Sequence, residues 1–199
     1  MRGRSIEERP AHVGPGGEFG HWEIDTVLGR RAGGGAAVLT LVEKRTRYLV
    51  ALPLSSRSVY SVETSLLGLH EEYGARFAEV FKSVTSDNGA EFSELSRLES
   101  WGAAVYFAHP YRSGERGQNE RHNGLLRRFL PKGTALDPYT ADALFWIADE
   151  INRLPRRQLY PLTGWLDLIR QRFCILRRYP QSTPGQGAGC GRRRAGPRA

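Results

Sequence analysis

Three carboxylates stand where their neighbours make them chemically conspicuous. Asp25 lies inside GHWEIDTVL, residues 20–28, a run otherwise rich in strand formers. Aspartate is disfavoured in strands, and burying an unpaired carboxylate costs several kcal/mol, so either a metal ion or an arginine compensates it or the strand is shorter than residues 20–28. Asp87 falls where an apolar run hands over to a turn, at the carboxyl end of a strand, where sites lie in sheets flanked by helices. The same Asp87-Asn88-Gly89 is also ordinary turn chemistry, because Asp and Asn accept local hydrogen bonds and Gly takes positive φ. Glu120 sits near the start of a helical pattern, with Asn123 and Arg127 three and seven residues on, along one polar face. That face either meets a ligand or is solvated, supported by the helix dipole and the Glu120 to Asn123 contact.

Around Glu120 the chain is densely polar. From Glu115 to Lys132 it holds five basic and two acidic side chains. Arginines and backbone amides near a helix start suit phosphate groups, whereas a solvated basic face is the alternative. Arg116, Asn119, Asn123, Arg127, Arg128 and Lys132 are the residues that could meet a nucleic-acid backbone.

The elements that must position these groups follow from hydrophobic periodicity. Residues 20–28, 38–42 and 48–52 read as an antiparallel meander, bounded by Gly33-Gly34-Gly35 and a charged Glu43-Lys44-Arg45 corner. From Ser58, apolar residues at Val59, Val62, Leu66, Leu69 and Tyr73 keep helical spacing until Gly74. A strand over residues 79–85 then leads to Asp87. A short helix with Phe92, Leu95 and Leu98 precedes another strand over 103–108. A helix from Asn119 with Leu125, Leu126, Phe129 and Leu130 on one side ends at Pro131. The last begins at Thr140, a good N-cap, and stops before Pro155. This is an α/β pattern, a mixed five-stranded sheet flanked by helices.

With 199 residues there is room for one well-buried domain. No run of about eighteen apolar residues offers a membrane span, and the N-terminus has no apolar export signal, so a cytoplasmic location is expected. Cys174 and Cys190 show neither disulfide-framework nor zinc spacing. The net charge of +8 is weak evidence for a nucleic-acid partner, because six arginines with no acid follow from Arg177 and leave about +2 for the first 176 residues. Three parts are expected: a linker-like segment 1–18, a folded core 19–175 and a disordered Arg/Gly/Pro-rich tail 176–199.

GHWEIDTVLG, TSDNGAEF and VYFAHPYRSGERGQNERHNGLLRRFLPKGT together resemble the three catalytic blocks of insertion-sequence-30 family transposases, and the likeness runs from about Ser5 to Leu159. The resemblance implies an RNase H-like, retroviral-integrase-like fold and a DDE triad of Asp25, Asp87 and Glu120. Oxygen donors of this kind suit Mg²⁺ or Mn²⁺, with two ions acting as a clamp on the displacement at phosphorus. The implied activity is DNA strand cleavage and strand transfer, with transposon ends and target DNA as partners and a homo-oligomer assembled on DNA; no membrane partner is implied.

The chain departs from the family pattern at several points. It begins near the linker after the usual helix-turn-helix region, has Gly114 where Trp is common, and has Arg121 directly beside the glutamate. Thr163-Gly164 replaces an expected Thr-Pro, and with 26 arginines against three lysines the tail fits a frameshifted end in GC-rich DNA. Two other functional readings therefore stand beside the enzyme: an inactive DNA-binding or dimerisation remnant, and a free-standing RNase H-like nuclease.

Overall fold

A computed structural model describes residues 3–13, 17–30, 35–109 and 117–154. Arg116, Gly114, both cysteines and the tail lie outside the described residues. The sheet has six strands rather than the five expected. They are β1 (Arg4–Ser5), β2 (His21–Leu28), β3 (Ala37–Glu43), β4 (Leu49–Leu54), β5 (Ser83–Ser86) and β6 (Ala104–Phe107), in the order β1-β6-β5-β2-β3-β4. The meander β2-β3-β4 is antiparallel, while β5 joins β2 and β6 joins β5 in parallel. The additional strand comes from the segment expected to be linker. Arg4 and Ser5 pair in parallel with Tyr106 and Phe107, a contact too short to leave a periodic signature.

Helix α1 (Val59–Tyr73) starts where Ser58 Oγ accepts from the Ser61 amide and ends at Gly74, whose φ of 52° suits a residue without Cβ. It crosses from β4 towards β5, as parallel strands require. The expected strand over 79–85 begins only at Ser83. Residues Phe77–Val80 form a helical turn, α2, because Phe77, Val80 and Phe81 have i, i+3, i+4 spacing and all enter one apolar cluster. Helix α3 (Gly117–Leu126) is followed by turns, and α4 (Ala141–Asn152) is capped by Thr140 Oγ1 accepting from the Ala143 amide.

Strict alternation along the strands sends side chains to two separate cores. On the α1 face, Trp22, Ile24, Leu39, Leu41 and Val84 pack with Leu66, Leu69 and Phe77. Trp22 is fully buried; its Nε1–H donates to Val80 O at 2.7 Å and its ring lies 4.9 Å from that of Phe81. On the other face, Val27, Val38, Val42 and Leu49 meet Leu126 of α3, Leu130 just beyond it, and Leu144 and Ile147 of α4. β3 is buried throughout, as a strand covered on both sides must be. β4 forms one edge of the sheet. There the Asn152 side chain accepts from Leu49 N and donates to Leu49 O, both at 2.8 Å, and Pro53 occupies the strand further along. Among the described residues no helix is long and apolar enough to cross a membrane.

Candidate active site

The two aspartates are brought together by strand register. The parallel ladder pairs His21 with Ser83 and Glu23 with Thr85. Continued by two residues, it sets Asp25 beside Asp87, on strands about 4.8 Å apart. Because alternate residues share a face, His21, Glu23, Asp25 and Val27 all point to the side covered by α3.

Helix α3 runs along β2 and touches it at successive levels. The Asn119 amide donates to Glu23 Oε2 at 3.3 Å, Asn123 Nδ2 donates to Asp25 Oδ2 at 2.9 Å, and Arg127 Nη2 donates to Leu28 O at 2.8 Å. Thr40 Oγ1 lies 3.2 Å from Asp25 O and 3.4 Å from Asn123 Oδ1, with one proton to share between them. Backbone amides also hold the two carboxylates: Thr26 N donates to Asp25 Oδ1 at 2.8 Å, and Gly89 N to Asp87 Oδ1 at 2.9 Å. Glu120 is exposed one turn before Asn123, on the helix that carries the Asn123 contact to Asp25.

Two buried acids that sequence reasoning passed over complete the surroundings. Glu91 is 4 % exposed; its Oε1 accepts from Thr26 Oγ1 at 2.8 Å and from Arg57 Nε at 2.6 Å. It thus ties the residue after Asp25 to the loop after Asp87. Arg57 is held more firmly protonated than usual, first by its hydrogen bond to Glu91 and then by the charges of Glu91, Asp87 and Asp25, against some burial cost. Burial pushes the Glu91 carboxyl up, but Arg57, its own backbone amide and Thr26 outweigh that and leave it below the ordinary range. Glu23, 1 % exposed, receives Lys44 Nζ at 2.6 Å. Glu23 could have been found from its spacing two residues before Asp25, and Glu91 from its place four residues after Asp87. Arg57 has no comparable signal.

The expected nucleic-acid contacts divide. Arg128 and Lys132 are exposed. Asn123 and Arg127 are half-buried and bonded to β2, so they act inward on the site in this structure. Asn119 is only 1 % exposed, and neither its Nδ2 nor its Oδ1 finds a partner among the described residues.

The carboxylates of Asp25 on β2 and of Asp87 just past the end of neighbouring β5, both acting on the Arg57 charge, form a hard, anionic donor set. Such a set fits a divalent cation of the Mg²⁺ type.

Residues 16–113 match the integrase core domain family. Over 155 residues the chain is 46 % identical to a probable transposase for the insertion-like sequence element IS1161 of Streptococcus salivarius, covering 78 % of this chain and 43 % of that protein. It is 34 % identical over 160 residues to the transposase InsI of the Escherichia coli K12 element IS30C, covering 80 % and 40 %. The chain therefore spans less than half the length of these curated relatives. The catalytic core domain of BIV integrase superposes with a TM-score of 0.53 at 17 % identity, over 78 % of this chain and 99 % of that one. A simian T-cell lymphotropic virus intasome bound to a PP2A regulatory subunit gives 0.55 at 18 %, over 95 % and 63 %. The sheet and its helices thus have the RNase H-like fold of retroviral integrase cores.

Proposed function

Since the chain belongs to the insertion-sequence-30 transposases, whose integrase core domain it carries, we propose that it cleaves and joins DNA strands at a divalent-metal site made by Asp25, Asp87 and Glu120. The observation that supports this most is the register that aligns Asp25 with Asp87 under the helix bearing Glu120. The reaction is a pair of in-line displacements at phosphorus. Water first breaks one phosphodiester and leaves a 3′-hydroxyl; that hydroxyl then attacks a second phosphodiester and releases its 3′-oxygen. No covalent link to the protein forms. Two Mg²⁺ or Mn²⁺ ions, when bound, supply positive charge to the phosphate and lower the pKa of the attacking hydroxyl.

The chain's own groups do the orienting. Asn123, Thr26 N and Gly89 N hold the aspartates in fixed rotamers, and the Glu91–Arg57 pair locks the two segments that carry them. Arg128 and Lys132 grip the DNA backbone outside the reacting phosphate. The partners are element ends and target DNA in the cytoplasm, with further copies of the chain in the assembly.

The test is nicking and joining of a labelled duplex in Mg²⁺ or Mn²⁺. Wild type should yield cut and joined products, and Asp25→Asn, Asp87→Asn and Glu120→Gln should each abolish them with the circular dichroism unchanged. A wild-type chain that binds DNA yet makes neither product would replace this reading with that of a catalytically silent DNA-binding remnant. Cuts without joining would replace it with a nuclease.

A further inference from the structure

At the opposite end of β2 from Asp25, three donors of different kinds converge. His21 Nε2 lies 3.3 Å and His12 Nε2 3.7 Å from the same oxygen, Glu18 Oε1, and all three ligand atoms fall within 4.8 Å of one another. His21 Nε2 is at the long end of the hydrogen-bond range, which centres near about 2.9 Å, and His12 Nε2 is beyond it. The His21 separation equals the spacing of ligands around a tetrahedral ion, since bonds of about 2.0–2.1 Å put neighbouring ligand atoms about 3.3 Å apart, and exposed His12 needs to close by only about 0.4 Å.

From this geometry we infer that His12, Glu18 and His21 form a binding site for a zinc-type transition-metal ion. Two imidazoles and one carboxylate suit Zn²⁺ rather than Mg²⁺, which takes oxygen and retains water. Three protein ligands leave the fourth position of a tetrahedral ion for water. The support around the ligands is that of a built site. The His21 side chain is buried, and its other nitrogen, Nδ1, is 2.7 Å from Ser83 Oγ, which fixes the ring with Nε2 towards Glu18. Lys82 Nζ occupies the second oxygen, Glu18 Oε2, at 2.5 Å, and so turns Oε1 to the histidines; its charge weakens the site without blocking it. His12 and Glu18 are half-exposed or more, so an ion can enter from solvent.

The site lies four residues along β2 from Asp25, about 13 Å at 3.3 Å per residue, and shares no ligand with the candidate active site. Its role is a clasp: it fastens the segment before the sheet to the first residue of β2 and to β5 through Ser83. The inference is independent of the DNA chemistry proposed above.

The experiment is calorimetric titration of the metal-stripped full chain with Zn²⁺, with the visible absorption of Co²⁺ reporting coordination. With Mg²⁺ in excess to occupy the carboxylate site proposed above, one Zn²⁺ ion should bind. Ser83→Ala should weaken it about tenfold, the usual loss when a ligand's outer partner is removed, and His12→Ala by more. His12 is exposed, so its removal leaves the fold intact, and Asp25→Asn should leave Zn²⁺ affinity unchanged. If wild type takes up no Zn²⁺, or if His12→Ala binds it as tightly as wild type, the site does not exist and the cluster is an ion pair between Glu18, Lys82 and neighbouring histidines.

Discussion

Lys44→Met should destabilise the protein far more than loss of a lysine usually does. The Lys44 side chain is 6 % exposed and its partner Glu23 1 %, with Nζ and Oε1 2.6 Å apart. A surface pair would contribute about 0–1 kcal/mol. Here, removing the cation leaves a carboxylate that must stay charged without its partner or take up a proton, and breaking a buried pair from one side costs about 3–5 kcal/mol. For a folded unit of this size each kcal/mol moves the melting temperature roughly 2–4 °C, so a fall of roughly 6–20 °C is expected. The double variant Glu23→Gln, Lys44→Met should recover much of the loss, because a neutral pair has no stranded charge. Urea unfolding of wild type, both single variants and the double variant measures this, provided the slope of free energy against urea is common to all four. Glu23 also accepts the Asn119 amide at the start of α3, so Lys44→Met should weaken Mg²⁺ binding as well. A cost below about 1 kcal/mol for Lys44→Met would refute the reasoning. It would mean that another cation serves Glu23, and Arg47, whose guanidinium feels the Glu23 charge, is the one in place.

Two further outcomes follow from the same surroundings. Because the Glu91 carboxyl is held below its ordinary value of 4.5, the stability it contributes is present above that pH and is lost as pH falls through the lower folded-state value. The stability difference between wild type and Glu91→Gln should therefore be steady near neutrality and shrink on acidification; a difference that grows in urea melts at low pH would contradict this. Arg128→Ala and Lys132→Ala should each reduce the slope of log affinity for duplex DNA against log salt by about one, equally for any sequence, as phosphate contacts do. An unchanged slope would remove that residue from the DNA-facing surface.

The legible parts of the fold were those written in local periodicity. The β2-β3-β4 meander and α1 lie within a residue or two of their expected bounds, because apolar runs between turn residues declare the strands and an apolar stripe with a capping serine declares the helix. Glu79 and Val80 were expected in a strand because a short apolar run can be read at either period; the packing of Phe77, Val80 and Phe81 into one cluster decides it for the helix. Glu43 was expected at a charged corner between strands. It is fully buried instead, its carboxylate accepting from Gly20 N at 3.1 Å and from Thr46 N and Oγ1, and burial pushes its pKa up. The acids themselves were conspicuous singly, but what joins Asp25 to Asp87 is a pairing between residues sixty-two apart. Pairing of that range has no local sequence sign. The side-chain contacts of Arg57 and Asn123 depend on it and were equally hidden.

The hold of Asn152 on β4 bears on how the protein behaves in a crowd. An edge strand exposes amides and carbonyls that can recruit a strand from another molecule, the first step of sheet-to-sheet aggregation. At Leu49 both groups are already engaged by the Asn152 side chain, and Pro53 offers no amide further along. A foreign strand would have to displace an anchored helix before it could dock. At the other end of the sheet the outermost strand is only two residues long and presents almost nothing to copy. Growth of the sheet is thereby impeded at Leu49 and Pro53 on one edge and offered only a two-residue strand on the other, which favours association through helices, loops and charged side chains.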